Sequence, residues 1–270
     1  LKEGTEALRS ALVDRLGDAT IESVYRDRGI ALAIPAVEMS QHRAWVFKSP
    51  HVPGSNHRDD GYSLVDVCMA TSAAPVFRSM AALDHPGTAD GDYNVFVDGG
   101  LWANNPVVVA LIDALDIAKP GQEIHIFCLG TCPVPAGEQI ARDKVDRGLT
   151  DWKFGGDAAS LSIDAQQFAF DHMARKLAAH VDRTVKIVRF PSDKVPAALI
   201  PYLGLDETRD DAFTALINQA RTDADMTNSR CMSTERRDVE AQLICDLFES
   251  VPPLTAPLFN RNSIANNAKV

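Results

Sequence analysis

Val95-Phe96-Val97-Asp98-Gly99-Gly100-Leu101-Trp102-Ala103-Asn104-Asn105-Pro106 is the stretch on which the reading turns. Asn94 to Val97 reads as a short strand and ends on a carboxylate. Two glycines follow, so the backbone can turn sharply and another segment can approach closely. Pro106 then opens a helix to Ala118, at a first-turn position where its missing N–H costs nothing. Glu123 to Gly130 reads as the next strand. Strand, helix, strand in this order predicts a parallel sheet. A carboxylate at a strand's carboxyl end stands where open α/β sheets place their sites. Taken alone, Asp-Gly after a strand is also an ordinary turn.

Upstream, Thr5 to Leu16 carries Leu8, Leu12, Val13 and Leu16 at helical spacing. Ile30 to Met39 and Arg43 to Lys48 read as strands joined by a turn at Ser40-Gln41-His42, and Pro50 to Tyr62 as a surface loop. Ser63 opens a helix running to about Ala73. Its end, Val67-Cys68-Met69-Ala70-Thr71-Ser72-Ala73-Ala74-Pro75-Val76-Phe77, is built of small side chains that let one backbone press on another. Asp84 to Asp92 is a second loop. Beyond Thr131, Asp157 to Val181, Asp211 to Asp223 and Glu235 to Glu249 are helix patterns and Lys186 to Phe190 a strand. Residues 252–270 read as loose chain.

The 270 residues are 46% hydrophobic and 24% charged, a cored globular balance. A net charge of −10 repels phosphate backbones, which argues against a nucleic-acid polymer as partner and against tight electrostatic docking on an anionic membrane. Cys68, Cys128, Cys132, Cys231 and Cys245 lack zinc-ligand spacing and read as free thiols of a reducing compartment. No run of apolar residues reaches the length of a membrane span.

Taken together, Ala70 to Phe77 and Asp98 to Pro106, with Pro35-Ala36-Val37 and Trp45-Val46-Phe47 before them, resemble the patatin-like phospholipase family. The resemblance covers roughly Leu1 to Leu129. It implies an α/β fold: a patatin-like parallel-sheet hydrolase core with helices on both faces and a helical carboxyl-terminal extension. Residues 1–130 would be the carboxyl-terminal part of the catalytic core, and 131–270 its completion and extension. It implies a Ser–Asp dyad that cleaves acyl esters of membrane phospholipids without cofactor or metal. Asp98 would be the catalytic acid/base and Gly99 and Gly100 the shapers of its turn. None of the seven histidines is needed for such a dyad.

The family's serine sits on a Gly-x-Ser-x-Gly elbow, and no such motif occurs here. Gly61-Tyr62-Ser63-Leu64-Val65 comes nearest, and Ser72 is a weaker candidate without flanking glycines. In the family's order the elbow and its oxyanion loop come first, so the expectation is that both precede Leu1. The alternative is a catalytically inactive lipid- or nucleotide-binding module of the same fold.

Tyr202 to Thr208, followed by Asp210-Asp211-Ala212, is similar to bacterial patatin-like effectors, some of them switched on by a cyclic nucleotide in antiphage defence. That likeness implies a cyclic nucleotide activator, a cytoplasmic protein with transient membrane contact, and leaves a homo-oligomer open. Arg175, Lys176, Arg183, Arg209 and Arg221 could meet a phosphate, although basic residues scattered on helix faces are usually solvated.

Overall fold

The computed structural model describes residues 2–88, 91–131, 140–191, 195–204, 207–233, 235 and 238–251. The chain divides into two compact units, Leu1–Arg189 with Lys194–Glu207, and Phe190–Asp193 with Thr208–Val270.

The first unit opens with α1 (Lys2–Leu16), whose Leu8 and Leu12 pack on the core while its other faces stay in solvent. Then comes α2 (Ile21–Arg28), which periodicity alone does not announce. It is fixed by its ends: Thr20 and Ser23 cap each other reciprocally, and Gly29 closes it in the left-handed region at φ 66°. The predicted hairpin forms as β1 (Ala33–Glu38) and β2 (Arg43–Lys48), in antiparallel register from Ala33↔Lys48 to Glu38↔Arg43. Buried Glu38 steadies its turn by accepting the N–H groups of Ser40 and Gln41.

Next is α3 (Leu64–Thr71), capped by Ser63. The segment after it holds β3 (Ala81–Asp84), which pairs with β4 (Tyr93–Asp98). The four strands form one sheet in the order β2-β1-β4-β3. Alternation places Ala36, Trp45, Phe47, Ala81, Leu83 and Phe96 on one face, beneath Val67, Met69 and Ala70 of α3. Phe96 is fully buried, with its ring 5.4 Å from that of Trp45 and 4.9 Å from that of Phe47, centroid to centroid.

After β4 come a single turn, α4 (Gly100–Ala103), and then α5 (Val107–Ile117) and β5 (Ile124–Leu129). The sheet expected to hold β4 and β5 side by side in parallel is not formed. β4 is flanked by β1 and β3, both antiparallel to it, so neither edge is left for β5. β5 pairs instead with β6 (Val185–Phe190), reached through the long α6 (Gly156–His180). The Ile124 N–H donates to the Thr184 carbonyl at 3.0 Å, which brings the starts of both strands together. A second core fills the space between this pair and its helices, around Val107, Leu111 and Ala174.

The other unit contains α7 (Asp210–Met232) and α8 (Val239–Ser250), which meet where buried Cys231 lies 3.4 Å from the Ala241 carbonyl and are joined by an Arg230–Asp238 ion pair of 2.7 Å. Residues 252–270, read as loose chain, fall outside the described residues, as does Cys132. Cys68, Cys128, Cys231 and Cys245 form no disulfide among the described residues. No described helix is long and apolar enough to cross a membrane.

One buried polar network ties the first sheet to α5. The Ser49 hydroxyl lies 2.8 Å from His51 Nδ1, His51 Nε2 lies 3.2 Å from Asp113 Oδ2, and Lys48 Nζ donates to Asp113 Oδ1. Asp113 is only 5% exposed, so these two partners stand in for the water its carboxylate lacks. Replacing Asp113 by Ala leaves His51 and Lys48 without their acceptor. We expect it to lower unfolding stability by about 2–4 kcal/mol, measured by urea denaturation. An unchanged midpoint would show that the network is incidental.

Candidate active site

The end of β4 is built by close approaches among α3, β1 and the turn after β4. The Asp98 N–H donates to the Ala73 carbonyl at 3.1 Å and the Gly99 N–H to the Thr71 carbonyl at 3.2 Å. The small side chains at the end of α3 let this happen, as the sequence suggested. The Thr71 hydroxyl donates in turn to the Pro35 carbonyl at 2.7 Å, and the Trp102 indole N–H to the Ala36 carbonyl at 2.8 Å. Ala36↔Asp98 is the last pair of the β1–β4 ladder, so Pro35 lies just past it and its missing N–H breaks no bond to β4.

Gly99 fits because it has no side chain. A Cβ there would stand 2.2 Å from the Pro35 carbonyl oxygen. Its φ of −67° is open to any residue, so the demand is for space and not for a special backbone conformation. Gly100 turns its N–H onto Asp98 Oδ1 at 2.6 Å. The other carboxylate oxygen, Oδ2, has no hydrogen bond among the described residues.

Asp98 is half-buried on the side of β4 that also carries Phe96. Burial pushes its carboxyl above the ordinary aspartate range; the Gly100 N–H and the charge of Arg78 act against that push without cancelling it. A carboxylate on a rigid strand end, with one oxygen anchored and one open, has the placement of a general base.

Three serines invite comparison with a nucleophile. Ser63 caps α3, accepting the Asp66 N–H at 3.0 Å and donating to Asp66 Oδ2 at 2.7 Å. Ser72 donates to the Cys68 carbonyl at 2.7 Å and ends the same helix. Ser49 heads a serine–histidine–aspartate series that sequence spacing did not reveal, because Asp113 lies 62 residues beyond His51. It is 1% exposed and its oxygen accepts the Leu32 N–H at 2.8 Å, so no substrate reaches it. All three hydroxyls are occupied in holding backbone.

The basic residues considered as phosphate ligands belong to both units, Arg175, Lys176 and Arg183 to the first and Arg209 and Arg221 to the other. Arg175 is ion-paired with Asp171 at 2.9 Å, and Arg183 reaches the Lys119 carbonyl at 3.5 Å. Leu205 and Asp206 of the Tyr202–Thr208 stretch lie outside the described residues. No group of metal-ligating side chains assembles among the described residues.

Against this geometry, comparison with known proteins is informative. No protein-family model matches the chain. Three curated bacterial relatives do, each named "cGAMP-activated phospholipase". The protein of Pseudomonas aeruginosa (strain BWHPSA011 / Pa011) is 32% identical over 177 residues, 65% of this chain and 48% of the relative. That of Escherichia coli (strain TW11681) is 32% identical over 41% of this chain and 30% of the relative. That of Vibrio cholerae serotype O1 is 38% identical over 33% of this chain and 23% of the relative. The matched chain thus spans less than half the length of each relative. These matches agree with the resemblance carried by the Asp98 and Ala70–Phe77 stretches: the chain is a sequence relative of bacterial cGAMP-activated phospholipases.

Proposed function

We propose that this chain carries the acid/base part of a lipid acyl hydrolase that cleaves fatty acyl esters of membrane phospholipids. The observation that carries the reading is the Asp98 carboxylate, fixed through Oδ1 by the Gly100 N–H with Oδ2 left open. In this reading Oδ2 takes the proton from a serine hydroxyl as that oxygen attacks the acyl carbonyl. The protonated Asp98 then gives the proton to the departing lysolipid alkoxide. Water hydrolyses the acyl-serine by the same route in reverse. In this reading the serine is none of Ser49, Ser63 and Ser72, whose hydroxyls are already committed. The raised affinity of Asp98 for a proton, caused by burial, suits a group that must both accept and return one. The relatives' name supports phospholipid as substrate, with lipid degradation as the outcome, and cGAMP as activator.

The occupied serines favour one rival: a module of the same fold that binds lipid or nucleotide and does no chemistry. Fatty-acid release from phospholipid vesicles, with and without cGAMP, separates the two. Asp98→Asn should lower turnover by on the order of 10³- to 10⁴-fold. Vesicle binding without hydrolysis by the unmutated protein would favour the module instead.

Two pH effects follow from the direction of the Asp98 shift. The base works ionised, so kcat/KM should rise with pH along an acid limb placed above the ordinary aspartate value of about 3.9. A folded pKa raised above the unfolded one contributes stability at low pH that is lost as pH rises through the folded value. At neutral pH the Asn variant, which keeps the oxygen facing Gly100, should therefore unfold at no lower a temperature than the unmutated protein. A marked loss of thermal stability would make Asp98 a structural residue.

A further inference from the structure

The turn that carries Gly100 cannot hold its own place. α4 is a single helical turn, and a lone turn fixes more dihedrals than its few hydrogen bonds can offset. Its position is therefore set by what grips it from outside. The Asp98 and Gly99 N–H groups hold its start to the end of α3. Its far end is held to α6 by two amide side chains. Gln166 Nε2 donates to the Leu101 carbonyl at 2.8 Å, and Asn105 Nδ2 donates to the Gln167 carbonyl at 3.2 Å. A carbonyl only accepts, so each amide must turn its nitrogen to the contact.

Packing does not explain why a glutamine stands at 166. Gln166, Phe170, Ala174 and Leu177 recur at helical spacing along one side of α6. The last three join Val107 and Leu111 of α5 in the second core, so α6 is seated firmly on α5. An apolar side chain at 166 would continue that stripe. The glutamine instead brings an Oε1 that is buried and makes no hydrogen bond among the described residues. Such an acceptor weakens a fold, so the Nε2 contact serves the turn and not stability. Asn105, itself buried, works from the other side: its Oδ1 accepts the Val107 N–H at 3.4 Å, where α5 begins. One side chain thus ties the start of α5 to α6.

We propose that Gln166 and Asn105 are positioning residues, which latch the turn after β4 to α6 and so keep the Gly100 N–H on Asp98 Oδ1. Leu101 follows Gly100 directly, so a shift of its carbonyl is passed to that N–H within one residue. The latch has catalytic meaning only if Asp98 is the general base, and to that extent the inference rests on the proposed function. It also gives α6 a part in the site, although this helix begins only at Gly156, far beyond the stretch that carries Asp98.

The test is amide NMR of the full chain through a pH titration, comparing the unmutated protein with Gln166→Met. The Gly100 N–H lies 2.6 Å from Oδ1, so its resonance reports the ionisation of Asp98. Methionine keeps the volume of glutamine and removes both the donor and the buried Oε1. The unfolding temperature should therefore stay within about 4 °C of the original. Hydrogen exchange at Gly100 should quicken about tenfold, with the amides of β1 and β2 unchanged. The pH at which Gly100 titrates should move upward, because a loosened N–H no longer offsets the effect of burial on Asp98. Asn105→Leu should move both readings the same way. If Asp98 is the base, phospholipid turnover by Gln166→Met should fall about tenfold in kcat with KM within about twofold. The inference is overturned if either Gly100 reading stays put in Gln166→Met. It is also overturned if exchange quickens equally throughout the sheet, or if the variant unfolds well below the original, since Gln166 would then serve the fold alone. Both Gly100 readings come from the resting protein, so they stand or fall apart from the catalytic reading. That reading falls if Asp98→Asn still hydrolyses phospholipid, whatever Gly100 shows.

Discussion

The turn at Asp98-Gly99-Gly100 lies against β1 only because residue 99 carries no side chain. With the Pro35 carbonyl oxygen 2.2 Å from where a Cβ would stand, any other residue forces two backbones apart. Everything at the site follows from that contact. It lets the Asp98 and Gly99 N–H groups reach the end of α3, and it fixes where the Gly100 N–H meets the carboxylate. Phe96, two residues earlier on the same face, buries the strand in an aromatic cluster with Trp45 and Phe47. The carboxylate is thus aimed by the core and not by a loop.

The same arrangement sets its electrostatics. Half-burial raises the proton affinity of Asp98, and one N–H and one nearby guanidinium pull the other way. A fully paired Asp98 would hold its negative charge too firmly to act as a base, and a fully exposed one would not be aimed. Arg78 acts on the carboxylate through space, with no ion pair between the two among the described residues.

The candidate site was legible because its residues are consecutive. A strand, a carboxylate, two glycines and a helix opened by proline can be read in twelve residues, and the small-residue helix end matched it at a fitting distance. The hairpin of β1 and β2 was legible for the same reason. What was missed depends on contacts between distant segments. β3 contains Ala81, Ala82 and Leu83, a run without β-branched residues, and is a strand only because β4 pairs with it. The parallel sheet assigned to β4 and β5 failed because local order cannot show that both edges of β4 are already taken. α2 was hidden by its length, and its capping pair uses Ser23 in place of the usual acidic partner. α7 outruns its predicted end at Asp223 through a polar stretch, reaching buried Cys231 and the Arg230–Asp238 ion pair. The Ser49–His51–Asp113 series spans two elements far apart in sequence, and only the fold brings it together.

The most direct test of this account is Gly99→Ala in the full chain, followed by urea unfolding and by phospholipid hydrolysis. A methyl group driven onto the Pro35 carbonyl should cost at least about 2 kcal/mol of stability. It should also cut turnover in the fraction that stays folded, since Asp98 shifts with the backbone. A variant with unchanged stability and unchanged turnover would contradict the claim that this close approach holds the carboxylate in place.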